Sequence, residues 1–173
     1  MSLGALHHVT LTVSDIEASI RFYRDVIGLR VTMDLPMGGS LATLFSLRQG
    51  TGERARAVMM TQGDSAIGQV ELIEFWPPGA TTAPKRPGDP GVFQLCFEVR
   101  GEELNDVHQR LLSRGIKFFT PAPVELELRG LGHIRALIVE DPDGVLVEII
   151  RLPTPDEMKA YRIAARGASK GTP

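Results

Sequence analysis

The sequence predicts an α+β protein built from two copies of one module, and three observations carry that prediction. First, the stretch LHHVTLTVSDIEASIRFYRDVIGLRV from Leu6 is matched by FQLCFEVRGEELNDVHQRLLSRGIKF from Phe93: an alternating strand, a polar break, an amphipathic helix, a Gly stop and a new strand. Second, the spacing is nearly constant, with 86 residues between the strand starts His8 and Gln94 and 87 between the helix-ending Gly28 and Gly115. Third, each copy closes on a similar strand, QVELIEF around Glu71 and LVEIIRL around Glu148.

Each element follows from its pattern. In the first strand His7, Val9, Leu11 and Val13 alternate with Leu6, His8, Thr10 and Thr12, so an apolar face for a helix backs onto a polar His/Thr face suited to lining a cavity. Ser14 followed by Glu17 reads as a capping box. Ile16, Ile20, Tyr23 and Ile27 recur at helical spacing, and Gly28 supplies the stop. Strands are predicted at Arg30–Leu35, Ala42–Leu47, Ala55–Thr61 and Val70–Trp76. In the second copy Phe93, Leu95, Phe97 and Val99 face a helix striped by Leu104, Val107, Leu111 and Leu112, while Gln94, Cys96 and Glu98 face the cavity. A strand after Gly115 is broken by Pro121 and Pro123. Ile134–Glu140 and Val145–Leu152 then flank Asp141-Pro142-Asp143-Gly144, with Pro and Gly where a type I turn prefers them. Thr154, Pro155 and Glu157 stand at N-cap, N1 and N3 spacing for a last helix over Pro155–Ala165, and the GASKGTP terminus is expected to be disordered. The organisation is a first module over 5–76, a Pro/Gly-rich linker over 77–91, a second module over 92–152, and a C-terminal helix with its tail over 153–173.

Composition removes several classes of function. Hydrophobic content of 43% and charged content of 23% are ordinary for a globular chain, and a formal charge of −2 argues against a nucleic-acid surface. No apolar run approaches the roughly 20 residues that span a bilayer, and the N-terminus lacks the pattern of a signal peptide. Cys96 has no second cysteine to pair with. A cytoplasmic protein without membrane contact is expected. No Gly-rich phosphate loop follows a strand, so no nucleotide cofactor is expected.

Four residues could carry chemistry. Each copy places a ligand-capable residue at the start of its first strand, His8 and Gln94, and a Glu inside an otherwise apolar last strand, Glu71 and Glu148. A carboxylate among Leu146, Val147, Ile149 and Ile150 is costly to bury unpaired, and a divalent cation would offset that cost. One imidazole nitrogen with three oxygens suits Zn, Ni, Co, Mn or Mg. Glu74 is an equal candidate to Glu71 by pattern, because Ile73 and Phe75 share a face with Glu71. His133 is a candidate substrate contact or acid/base at the cavity rim. Arg48, Arg54, Arg56, Lys85 and Arg86 could hold an anionic substrate arm.

HHVTLTVSDIEASIRFYRDVIGL resembles the opening of vicinal oxygen chelate proteins, the superfamily of glyoxalase I, epimerases, extradiol dioxygenases and bleomycin-resistance proteins. EDPDGVLVEII resembles that superfamily's closing hairpin. The resemblance implies two βαβββ modules forming an open, curved eight-stranded cup around one divalent metal ion. It implies His8, Glu71, Gln94 and Glu148 as ligands, preferring Glu71 to Glu74 and His8 to His7. It further implies a metal-dependent lyase or isomerase of glyoxalase type acting on a small carbonyl substrate through a metal-stabilised enediolate. Glu148 would shuttle the proton, with Glu71 the alternative, and the active form would be a homodimer. A metal-free binding protein of the bleomycin-resistance type is the competing expectation. Gln94, standing where dioxygenases carry a second His, makes an extradiol dioxygenase less fitting.

Overall fold

The computed structural model describes residues 3–37, 44–45, 54–80 and 82–168. The chain divides into two compact units, Met1–Pro84 and Lys85–Pro173.

The first unit contains β1 (His8–Thr12), α1 (Ile16–Asp25), β2 (Arg30–Met37), β3 (Arg54–Thr61) and β4 (Gln69–Trp76). Its sheet runs β1-β4-β3-β2, with β1 and β4 parallel and the other pairs antiparallel. The helical stripe folds as its spacing demands. Ile16, Ile20 and Tyr23 are buried, with Phe22 beside them, a fully buried apolar side chain being worth about 1.5–3 kcal/mol, whereas Ile27 of the expected stripe lies beyond the helix end at Asp25 and is half-buried. Gly28 adopts φ +87°, a conformation that an L side chain resists. The cap is Asp15, one residue beyond Ser14: its carboxylate accepts from the Ala18 amide at 2.9 Å. Glu17 instead accepts from Arg56, whose guanidinium also clamps Asp34 and holds that carboxyl below the usual range. The strand expected at Ala42–Leu47 lies outside the described residues apart from Leu44 and Phe45.

The second unit repeats the order: β5 (Gln94–Glu98), α2 (Leu104–Ser113), β6 (Val124–Leu128), β7 (Gly132–Glu140) and β8 (Leu146–Arg151), followed by α3 (Pro155–Ala168). Its sheet runs β5-β8-β7-β6, again with a parallel first-to-last pairing. Both units are therefore βαβββ modules. Leu104, Val107 and Leu111 are buried as expected, but His108 rather than Leu112 completes the stripe, and Leu112 is 47% exposed. The strand expected directly after Gly115 is reduced to a single bridge, Phe118 to Val139. The second strand of the module is instead β6, from the alternating run VELEL beyond Pro123. The Asp141–Gly144 turn closes with Gly144 N donating to Asp141 O at 3.0 Å.

Helix α3 starts where the capping pattern puts it and continues three residues past Ala165, to Ala168; Ser169–Pro173 of the expected tail lie outside the described residues. Thr154 N donates to Glu157 Oε2 at 2.7 Å, and Glu157 N donates to Thr154 Oγ1 at 3.2 Å. This cap and Arg151 pull the Glu157 carboxyl from 4.5 down to about 2. A depressed carboxyl adds stability that is present above its unfolded value and is lost as pH falls through the folded one. The first turn of α3 is accordingly expected to loosen between about pH 4.5 and 2. Hydrogen exchange of the Met158 amide, bonded to Thr154 O, reads this directly. Protection that is the same at pH 5 and pH 2.5, or unchanged in Glu157→Gln, refutes it.

Candidate functional site

Strand parity decides which side chains share a surface. In β4, Glu74 lies opposite Arg56, and Arg56 reaches Glu17 on α1 at 2.6 Å, so that face carries the helix. Glu71, three positions away, points to the other face. There it accompanies Ile73 and Phe75, which join Ala55, Ala57 and Met37 in an apolar cluster. The sheet thus separates two carboxylates that the pattern left equivalent. Glu71 is opposite Thr10, and the Thr10 hydroxyl donates to Glu71 Oε2 at 2.7 Å. His8 Nε2 stands 3.5 Å from the same oxygen, with the Glu71 side chain only 13% exposed.

His8 has a second neighbour. Its Nδ1 lies 2.8 Å from His7 Nδ1, with the rings edge to face at 5.1 Å. One of these nitrogens must carry a proton. If His8 donates, its Nε2 presents a lone pair toward the Glu71 carboxylate, an arrangement that a cation between them would stabilise. Two ligands about 2.0–2.2 Å from one ion stand about 2.8–3.6 Å apart in tetrahedral or octahedral shells. The 3.5 Å separation of His8 and Glu71 fits that requirement.

The second unit builds a corresponding pair. Arg135 lies opposite Arg151 and donates to Asn105 of α2 at 3.0 Å, so their face carries the helix. Gln94, Cys96 and Glu148 lie on the opposite face. Gln94 Nε2 donates to Glu148 Oε2 at 2.9 Å, and the amide oxygen is the atom with lone pairs for a cation. Cys96 is directly opposite Glu148. Desolvation first, then the hydrogen bond and the negative charge of Glu148, push its thiol up to about 12, which suits a protonated donor and not a nucleophile.

The four expected ligands are thus brought together as two pairs, His8 with Glu71 and Gln94 with Glu148. Among the described residues no group of three or more His, Cys, Asp or Glu could hold a metal ion. His133 is not brought to Glu148. Parity along β7 puts it on the helix-bearing face with Arg135, where Nδ1 meets Glu125 at 3.2 Å and the ring meets Tyr161 edge to face at 5.8 Å. Its surroundings are a separate, charged cavity of about 330 Å³ lined also by Glu103, Arg135, Arg151 and Glu157. Arg56 is committed to Asp34 and Glu17, and Arg86 to Gly144 O and Glu140; Arg48 lies outside the described residues. Sequence reasoning put Thr10 and Cys96 on the cavity face with His8 and Gln94 but gave them no role, and it put His7 on the helix face. For Thr10 and Cys96 a signal was present: each stands two residues past His8 or Gln94 and so shares its face.

Comparisons with known proteins agree with this architecture. The family model described as Glyoxalase/Bleomycin resistance protein/Dioxygenase superfamily matches residues 5–149. The chain is 32% identical to the virulence protein STM3117 of Salmonella typhimurium, over 86% of this chain and 85% of that protein. It is 26% identical to the lactoylglutathione lyase of Pseudomonas aeruginosa, over 88% and 85%. A glyoxalase family protein from Bacillus cereus shares the fold with a TM-score of 0.73 at 18% identity, covering 89% of this chain and 97% of that one. With the repeat, the two βαβββ modules and the family match in agreement, the chain belongs to the Glyoxalase/Bleomycin resistance protein/Dioxygenase superfamily.

Proposed function

We propose that the protein is a metal-dependent lyase or isomerase of glyoxalase type acting on a small carbonyl compound, with His8, Glu71, Gln94 and Glu148 as the ligands of one divalent ion. The observation that carries this reading is the placement of a Glu within the last strand of each module, beside a ligand-capable residue from the first. Glu71, only 13% exposed, accepts from the Thr10 hydroxyl and Glu148 from the Gln94 amide, neutral donors that leave each carboxylate charge for a cation to balance. The similarity to a lactoylglutathione lyase supports the reaction class.

When bound, the metal supplies Lewis acidity toward the oxygens of the carbonyl substrate. The chain's own residues do the remainder. His8, Glu71 and Gln94 orient the oxygen end of the substrate, and Glu148 takes and returns the proton on the carbon beside the carbonyl. Two carboxylates, one amide oxygen and one imidazole favour borderline to hard cations, Zn, Ni, Co, Mn or Mg.

Metal analysis of the purified protein tests the reading. Close to one divalent ion per chain is expected after loading and dialysis, falling well below that in Glu148→Gln and in His8→Ala. Wild-type protein that retains no divalent ion, yet is stabilised by an apolar ligand, would favour the metal-free binding protein.

A further inference from the structure

Thr10 and Cys96 stand 86 residues apart, the same separation as His8 and Gln94. They are register equivalents too. Thr10 faces Glu71 across the parallel β1–β4 pair, and Cys96 faces Glu148 across β5–β8. Each module therefore puts a hydrogen-bond donor from its first strand against the Glu of its last. The donors differ in strength. The Thr10 hydroxyl meets Glu71 Oε2 at 2.7 Å, near the best distance for an O–H to a carboxylate. A thiol is a weak donor. Gln94 adds a contact to Glu148 at 2.9 Å, but from a flexible side chain that is itself a proposed ligand.

We propose that Thr10 is a positioning residue whose hydroxyl locks the Glu71 carboxylate in one orientation, and that its repeat equivalent Cys96, a weaker donor that holds nothing in place, leaves the Glu148 carboxylate able to turn. The inference rests on the reading of Glu71 and Glu148 as ligands and deepens it. A base must move between a holding and a proton-accepting orientation, whereas a fixed ligand must not. The same fold thus assigns different work to two symmetric carboxylates through one atom, oxygen in the first module and sulfur in the second.

Two measurements on Thr10→Val, Thr10→Ser, Cys96→Ala and Cys96→Ser test this. In crystals grown without metal, Glu71 should hold one orientation in wild type and Thr10→Ser and several in Thr10→Val. Glu148 should become more sharply ordered in Cys96→Ser. In Ni(II) titrations, Thr10→Val should weaken binding about 10–100-fold, the effect typical of losing a partner behind a ligand. Thr10→Ser should restore it, and Cys96→Ala should leave it nearly unchanged. The proposal is overturned if Thr10→Val leaves Glu71 ordered, or if Cys96→Ala weakens Ni(II) binding as much as Thr10→Val does. If wild-type protein takes up no Ni(II), the metal reading fails, and the metal-free crystals still decide whether Thr10 locks Glu71 while Cys96 leaves Glu148 able to turn.

Discussion

Glu148→Gln is expected to lower turnover of a carbonyl substrate by about 10²–10⁴-fold, the usual worth of a positioned base. The substitution keeps the shape of the side chain and its oxygen acceptor between buried Val147 and Ile149, so the thermal midpoint should move little. Measured at saturating metal, kcat and kcat/KM should fall together, because the lost interaction belongs to the transition state. Glutathione hemithioacetals and short acyl-CoA epimers are the substrates to screen. A loss below about tenfold with full metal occupancy would remove Glu148 as the base and transfer the role to Glu71, the other carboxylate set in a buried strand.

Leu137→Ala is expected to produce the largest loss of stability. Leu137 is fully buried on β7, on the face that carries α2. Removing such a side chain costs about 2–5 kcal/mol, the lost transfer energy plus the cavity left behind. Against a total of about 5–15 kcal/mol that is a large share of the fold's margin. For a chain of this size the thermal midpoint should drop by roughly 5–15 °C. Leu112→Ala, at an exposed position on α2, should change little by comparison. Equal effects from the two would contradict the assignment of the helical stripe.

The elements that were legible in the sequence are those whose period is strong and whose ends carry a chemical signal. Helix α1 ends at Asp25, shortly before the left-handed Gly28 at φ +87°, and α3 begins at a reciprocal Thr154–Glu157 cap. Where the signal was local but ambiguous, the tertiary environment decided. Ser14 and Asp15 are both good caps, and Asp15 is the one whose carboxylate reaches the Ala18 amide. The strand β6 was missed because it is an exposed edge of five residues, so its Val, Leu and Glu alternation has no buried face behind it. The repeat named the two pairs of candidate ligands, since repeat equivalence depends on spacing alone. It could not rank Glu71 over Glu74, because that needs the strand opposite: Arg56 marks one face as the helix side. His133 shows the converse, since its place on a face depends on the pairing of β7, and no composition reveals that.

Both modules pair their first strand with their last, and this has a consequence for the order of assembly. Thr10 and Glu71 are 61 residues apart, and Gln94 and Glu148 are 54 apart. Helices and the β3–β4 and β7–β8 hairpins need only short-range contacts, whereas these pairs need closure of nearly a whole module, the slowest kind of contact to gain. During synthesis the ribosome releases His8 long before Glu71, so the first pair of donors stays apart until the closing strand has emerged. Half-folded chains would carry native helices and hairpins but no complete pair of donors. If the pairs bind metal as proposed, its uptake would serve as a clock for completed folding, and a lengthened loop between the first and last strands of a module would delay that clock without moving the donors once they meet.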